Sequence, residues 1–126
     1  MKLEEVQNLL LCNVFSGEEF LGRSVMYGCA SDLMSDVLAF SRAGALLLTG
    51  LVNVQTIQTA HIAEMNAIVL VRGKRPDRKV IAAARNKAIP LLGTPYSMYE
   101  ACGLLYKAGI PSTMKCEHPL APSRSE

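Results

Sequence analysis

Ala45-Leu46-Leu47-Leu48, closed at once by Thr49-Gly50, is an unbroken apolar run ending in a turn signal. A strand with one wet face alternates apolar and polar residues. A run with no polar position is what a strand buried on both faces requires. The pattern returns twice downstream, at residues 67–71 and, more briefly, at 89–92. Between these runs the apolar spacing turns helical. Asn53 stands where it can cap a helix carrying Val54, Ile57, His61 and Met65 on one stripe. Asp77 opens another, with Val80, Ile81, Ala84 and Ala88 on one face. Buried strands alternating with amphipathic helices imply βαβ units, hence an α/β fold with a mostly parallel sheet.

Upstream, Leu3, Val6 and Leu10 recur at helical spacing, which predicts a helix over residues 2–11. A short strand over 13–15 and a single turn over 18–21 follow. Residues 24–30 read as a strand with Val25 and Tyr27 on one face. Ser31 or Asp32 caps the next helix, expected to run to about Arg42, to bury Leu33, Met34, Val37 and Leu38, and to end at Gly44. Ser97-Met98-Tyr99-Glu100 has the spacing of a capping box and opens a last helix ending at Gly109. The expected architecture is a single Rossmann-like domain over residues 1–110, with a central sheet of four to five strands flanked by helices. Residues 111–126 hold three of the six prolines, lack periodicity and are expected to be loosely ordered.

With 126 residues the chain suits one ordinary domain. A net charge of +2 gives no footing for nucleic-acid binding, and no aromatic residues interleave with the basic ones in the sharpest cluster, Arg72-Gly73-Lys74-Arg75. The apolar runs fall well short of the ~20 residues of a membrane span, and Lys2, Glu4 and Glu5 open the chain without an apolar leader. Cys12, Cys29, Cys102 and Cys116 form no Cys-x-x-Cys pair. A reducing, cytoplasmic setting is expected, with neither a disulfide framework nor a zinc site.

Open parallel sheets bind ligands beyond the carboxyl ends of their strands. There the sequence places Ser31 and Asp32, then Thr49, Gly50 and Asn53, then Arg72, Gly73 and Lys74, and finally Thr94. Small polar groups, glycines and a basic cluster suit an anionic ligand such as a nucleotide, Arg as a bidentate fork and Lys as a point charge. The same residues also suit ordinary βα loops, since turns and caps need them. Asp32 and Asp36, four apart, present two carboxylates for Mg²⁺, but capping explains them without a third ligand. His61 is expected as a packed core residue, a catalytic role needing a partner such as Cys29. Cys116 and His118 are too few to close a metal site. No phosphate-binding P-loop, dinucleotide fingerprint, nucleophile elbow or zinc-protease motif occurs, which argues against a self-sufficient enzyme. Neither a cofactor nor a metal is expected.

Four segments carry a resemblance. Tyr27-Gly28-Cys29-Ala30-Ser31-Asp32-Leu33-Met34-Ser35-Asp36-Val37, Leu48-Thr49-Gly50-Leu51-Val52-Asn53, Val71-Arg72-Gly73-Lys74-Arg75-Pro76 and Thr94-Pro95-Tyr96-Ser97-Met98-Tyr99-Glu100-Ala101-Cys102-Gly103 are similar, in order and spacing, to DRTGG-domain proteins. The resemblance spans about residues 2–110. It implies an α/β fold akin to the N-terminal domain of HPr kinase/phosphorylase. Related domains, fused to phosphotransacetylases and to CBS-domain pyrophosphatases, look like regulatory or dimer-forming parts. The literal Asp-Arg-Thr-Gly-Gly string is absent, as are kinase, transacetylase and CBS segments, and the resemblance supplies no catalytic residues. The expectation is therefore a non-catalytic, homodimeric regulator that senses a small anionic ligand or docks on a partner enzyme. The alternatives are a purely structural dimerisation domain, for which the apolar surface of the last helix argues, and an enzyme acting on a phosphorylated metabolite.

Overall fold

The computed structural model describes residues 1–113. Helix α1 (Leu3–Leu10) leads into strand β1 (Asn13–Ser16) and a 3₁₀ turn (Glu18–Phe20). Then come β2 (Tyr27–Ala30), α2 (Met34–Phe40), β3 (Ala45–Thr49), α3 (Val54–Ile62), β4 (Ala67–Leu70), α4 (Arg78–Asn86), β5 (Leu91–Gly93) and α5 (Met98–Lys107). The five strands form one sheet in the order β1-β5-β4-β3-β2. The pairs β2–β3, β3–β4 and β4–β5 are parallel; β1 runs antiparallel along β5. The single-domain α/β fold with a mostly parallel sheet is the one the apolar runs predict.

Every residue of β3, β4 and β5 is buried. Alternate side chains enter two separate cores, as the period of two in a strand demands. Leu46, Leu48, Val69 and Leu92 pack with α1 and α5 on one face. Leu47, Ile68, Leu70 and Leu91 pack with α2, α3 and α4 on the other. Three expected caps are present. Asn53 accepts a hydrogen bond from the Thr56 amide at 2.9 Å, Asp77 from Val80 at 3.0 Å and Ser97 from Glu100 at 3.2 Å.

The differences concentrate around α2. Strand β2 begins at Tyr27 rather than residue 24, although Val25 is buried. Helix α2 starts after Leu33, with no side chain capping it, and ends at Phe40. Leu33 and Leu38 are exposed, because this seven-residue helix covers an outer strand and buries only Met34 and Val37. Gly44 lies in the turn into β3 instead of ending the helix. Strand β5 starts two residues late, at Leu91. His61 is exposed; Thr56, Ile57, Thr59 and Ala60 form the buried side of α3. Ala88 likewise falls outside α4 and is exposed, with a φ of 56°.

Residues 111–113, at the head of the segment expected to be loosely ordered, lie along β2. The Gly28 amide donates to the Pro111 carbonyl at 2.8 Å, and the Thr113 amide to that of Gly28 at 3.1 Å. Cys116 and His118 lie outside the described residues.

The turn after β1 is fixed by a close approach. Gly17 has a φ of 86°, and a Cβ there would stand 2.6 Å from the Pro90 Cα. Backbone offers no flexible tip to move aside, and the left-handed conformation penalises a side chain independently. Gly17→Ala is expected to cost about 2–4 kcal/mol in urea denaturation. A change below ~0.5 kcal/mol would mean that this turn moves freely.

Candidate functional site

Because the four parallel strands point the same way, their carboxyl-end loops meet at one edge of the sheet. Asp32, expected to cap α2, turns instead across the end of β3. Its Oδ1 accepts from the Thr49 hydroxyl at 3.0 Å and from the Gly50 amide at 2.6 Å. The Thr49 oxygen in turn accepts from the Leu51 amide at 3.1 Å. The loop after β2 is thereby tied to the loop after β3. Ser31 closes a local turn, its hydroxyl oxygen accepting from the Leu33 amide at 3.0 Å.

Gly50 is the point on which charge converges. A methyl group on it would stand 3.0 Å from Arg72 Nη2 and 3.4 Å from Asp32 Oδ2. The lack of a side chain lets a guanidinium and a carboxylate share this corner. Arg72 reaches it from a turn of unusual backbone: its φ is 61° and that of Gly73 is 68°. A non-glycine residue in the left-handed region persists where its surroundings hold it. Here the Arg72 amide donates to the Tyr96 carbonyl and the Gly73 amide to the Thr94 carbonyl, both at 2.8 Å. The basic turn and the loop opening α5 are thus one unit. Lys74 is exposed beside it, and the Arg75 guanidinium carbon lies 5.5 Å from the centre of the Phe15 ring.

The predicted residues therefore divide. Arg72, Gly73 and Lys74 stand at the surface, as does Asn53, whose Oδ1 is committed to the amide and hydroxyl of Thr56. Thr49 and Thr94 are buried. The Thr94 hydroxyl donates to the Leu10 carbonyl at 2.6 Å, satisfying a carbonyl at the end of α1. It supports the loop from beneath rather than facing a ligand.

Other candidate chemistry is dispersed. Among the described residues no group of three or more His, Cys, Asp or Glu is placed to hold a metal ion. Cys29 lines a hollow with Asp36 and Phe40, whereas His61 lines another with Arg23 and Glu64. Burial pushes the Cys12 thiol up to about 12 and also raises Cys29 and Cys102, which favours the unreactive protonated form. Among the described residues no helix is long and apolar enough to cross a membrane.

One hollow escaped the sequence reading. A cavity of about 490 Å³ opens between α5 and the β2 end of the sheet, with Leu48, Tyr99, Gly103 and Tyr106 in its lining. No sequence pattern marks it, since glycines distant in the chain leave the space.

Among solved structures, the chain is similar to the CBS and DRTGG domains of the regulatory region of Clostridium perfringens pyrophosphatase, complexed with the activator diadenosine tetraphosphate. The TM-score is 0.69 at 16% identity, over 95% of this chain and 53% of that one. This chain has a DRTGG-like fold. It spans about half the length of the regulatory region it matches. No protein-family model matches the sequence, and no curated protein does.

In this DRTGG-like fold the carboxylate of Asp32 is the tie between two loops. Asp32→Ala leaves the buried Thr49 hydroxyl and the Gly50 amide without their acceptor, and a loss of about 1–3 kcal/mol is expected in urea denaturation. Asp32→Asn retains an oxygen acceptor and should stay within ~1 kcal/mol of the parent. Equal losses in the two variants would show that charge, rather than the hydrogen bonds, holds the corner.

Proposed function

We propose that the chain is a non-catalytic regulatory module of the DRTGG-domain type, binding a small anionic ligand such as a nucleotide at the carboxyl ends of its strands. One observation carries the reading: Arg72, on a left-handed turn strapped to residues 94–96, delivers its guanidinium to the side-chain-free corner at Gly50, and Lys74, two residues on, is exposed. A fork-shaped donor and a point charge on a fixed turn suit phosphate oxygens. Asp32, Thr49 and Thr94 hold the loops, and Ser31, Gly50, Asn53 and Gly73 leave room and polar surface around the anion. The pyrophosphatase regulatory region, solved with a dinucleotide activator, supports the assignment of a sensor. The raised thiols and the separation of Cys29 from His61 support a non-catalytic role. Among the described residues Cys12, Cys29 and Cys102 are unpaired, which suits a reducing cytoplasm.

A thermal-shift screen with tripolyphosphate, nucleoside triphosphates and diadenosine polyphosphates, with and without Mg²⁺, tests this. A ligand at ~100 times its Kd adds ~2.7 kcal/mol of stability. The double replacement Arg72→Ala, Lys74→Ala is expected to weaken the response at least tenfold. Unchanged affinity in that variant removes this turn from the site.

A second reading, a dimer-forming part that also docks on a partner enzyme, is favoured by the exposed Leu33, Leu38 and Phe40 on and beside α2. Light scattering should then give twice the chain mass, and Leu38→Glu with Phe40→Glu should halve it. A monomer at high concentration excludes this reading.

A further inference from the structure

Among the described residues three helices, α2 to α4, pack on one face of the sheet and two, α1 and α5, on the other, where a hollow remains beside β2. The cavity of about 490 Å³ lies there, within the roughly 300–1,000 Å³ typical of small-ligand sites. Ala30, Leu48 and Ile110 supply apolar lining, and Gly28 and Gly103 contribute no side chain. Tyr99 and Tyr106 also line it, and they are 88% and 74% exposed. Seven residues apart, they fall on the same side of α5, separated by roughly 10 Å along the helix axis. Gly103 sits between them, and a Cβ there would meet nothing within 4 Å. The side of α5 between the two tyrosines thus carries no side chain, and the notch there opens into the cavity.

The notch is coupled to the anion corner. Leu48 lines the cavity, and two residues farther on is Gly50, where the Arg72 guanidinium arrives. β3 ends at Thr49 and the chain bends at Gly50, so the cavity lining and the corner lie two residues apart along the chain, at the carboxyl end of the same strand. The Arg72 amide bond to Tyr96 fixes the basic turn to the loop from which α5 starts, three residues before Tyr99.

We infer that this cavity is the nucleobase half of the site whose phosphate half is Arg72 and Lys74. The inference rests on the anion-binding reading above and extends it from an anion to a nucleotide held at both ends. Stacking on aromatic rings tolerates any base, since every base has a π-face. The notch therefore selects for a base being present, and the basic turn for the phosphates.

Calorimetric titration of the whole chain with ATP, tripolyphosphate and adenosine separates the two halves. A Cβ at Gly103 meets nothing within 4 Å, so Gly103→Leu projects into the notch from an open helix position and replaces a poor helix former by a good one. The expected result is ATP binding weakened at least tenfold by Gly103→Leu and by Tyr106→Ala, with tripolyphosphate binding unchanged. The chain has no tryptophan, so quenching of tyrosine emission by adenosine or ATP, lost in Tyr106→Ala, supports stacking. ATP and tripolyphosphate binding alike, and equally to parent and Gly103→Leu, overturns the notch and leaves the anion corner standing. ATP binding lost in Gly103→Leu but untouched by the Arg72 and Lys74 replacements overturns the anion corner and the coupling. Binding of none of the probes overturns both. If Gly103→Leu changes only the oligomeric state, the cavity is a contact between copies and the inference fails.

Discussion

The structure turns on the complete burial of β3. Five consecutive residues, Ala45–Thr49, are each no more than 1% exposed. A strand dry on both faces must be covered on both, so a layer of helices on each side becomes obligatory. The same constraint leaves little of the central strands' faces open, Leu48 at the cavity wall being the exception. Chemistry is pushed to their ends, where Thr49 gives way to Gly50 and polar groups can again meet water. Since β2 to β5 are added in one direction across the sheet, the strand order of the parallel set never reverses. The crevice that such a reversal opens in doubly wound sheets is missing, and the surface at the carboxyl ends is instead built from loops strapped to one another.

How much of this was legible depended on whether a residue's partner was near in sequence. The buried strands could be read because burial on both faces leaves an unmistakable apolar run. The caps at Asn53, Asp77 and Ser97 could be read because each pairs with an amide three residues ahead. Asp32 could not: the same local pattern suggests a cap, but the acceptor is claimed by groups on β3. Leu33 and Leu38 misled because a short helix over an outer strand needs little buried surface. His61 lay on a plausible stripe, yet the buried side of α3 is turned toward Thr56 and Thr59, threonines that periodicity counts as polar.

The candidate site shows the same division. The positions of Arg72, Lys74 and Gly50 at the strand ends followed from topology. The arrival of Arg72 at Gly50 followed from a left-handed turn at an arginine, for which sequence gives no signal because nothing local prefers it. The straps from Arg72 to Tyr96 and from Gly73 to Thr94 supply the reason. Thr94 looked like a lining residue by position, but the carbonyl at the end of α1 needed a donor, and a buried hydroxyl answered that need.

Residues 111–113 also bear on how the molecule keeps to itself. An outer parallel strand offers a row of unpaired amides and carbonyls on which a foreign strand can template itself. At β2 the amide and carbonyl of Gly28 are already taken by Pro111 and Thr113. Proline, which has no amide to offer, is a poor template for further pairing. The segment acts as a built-in blocking piece, so growth of the sheet by adding β2 to a neighbour's sheet would first require peeling off the chain's own residues.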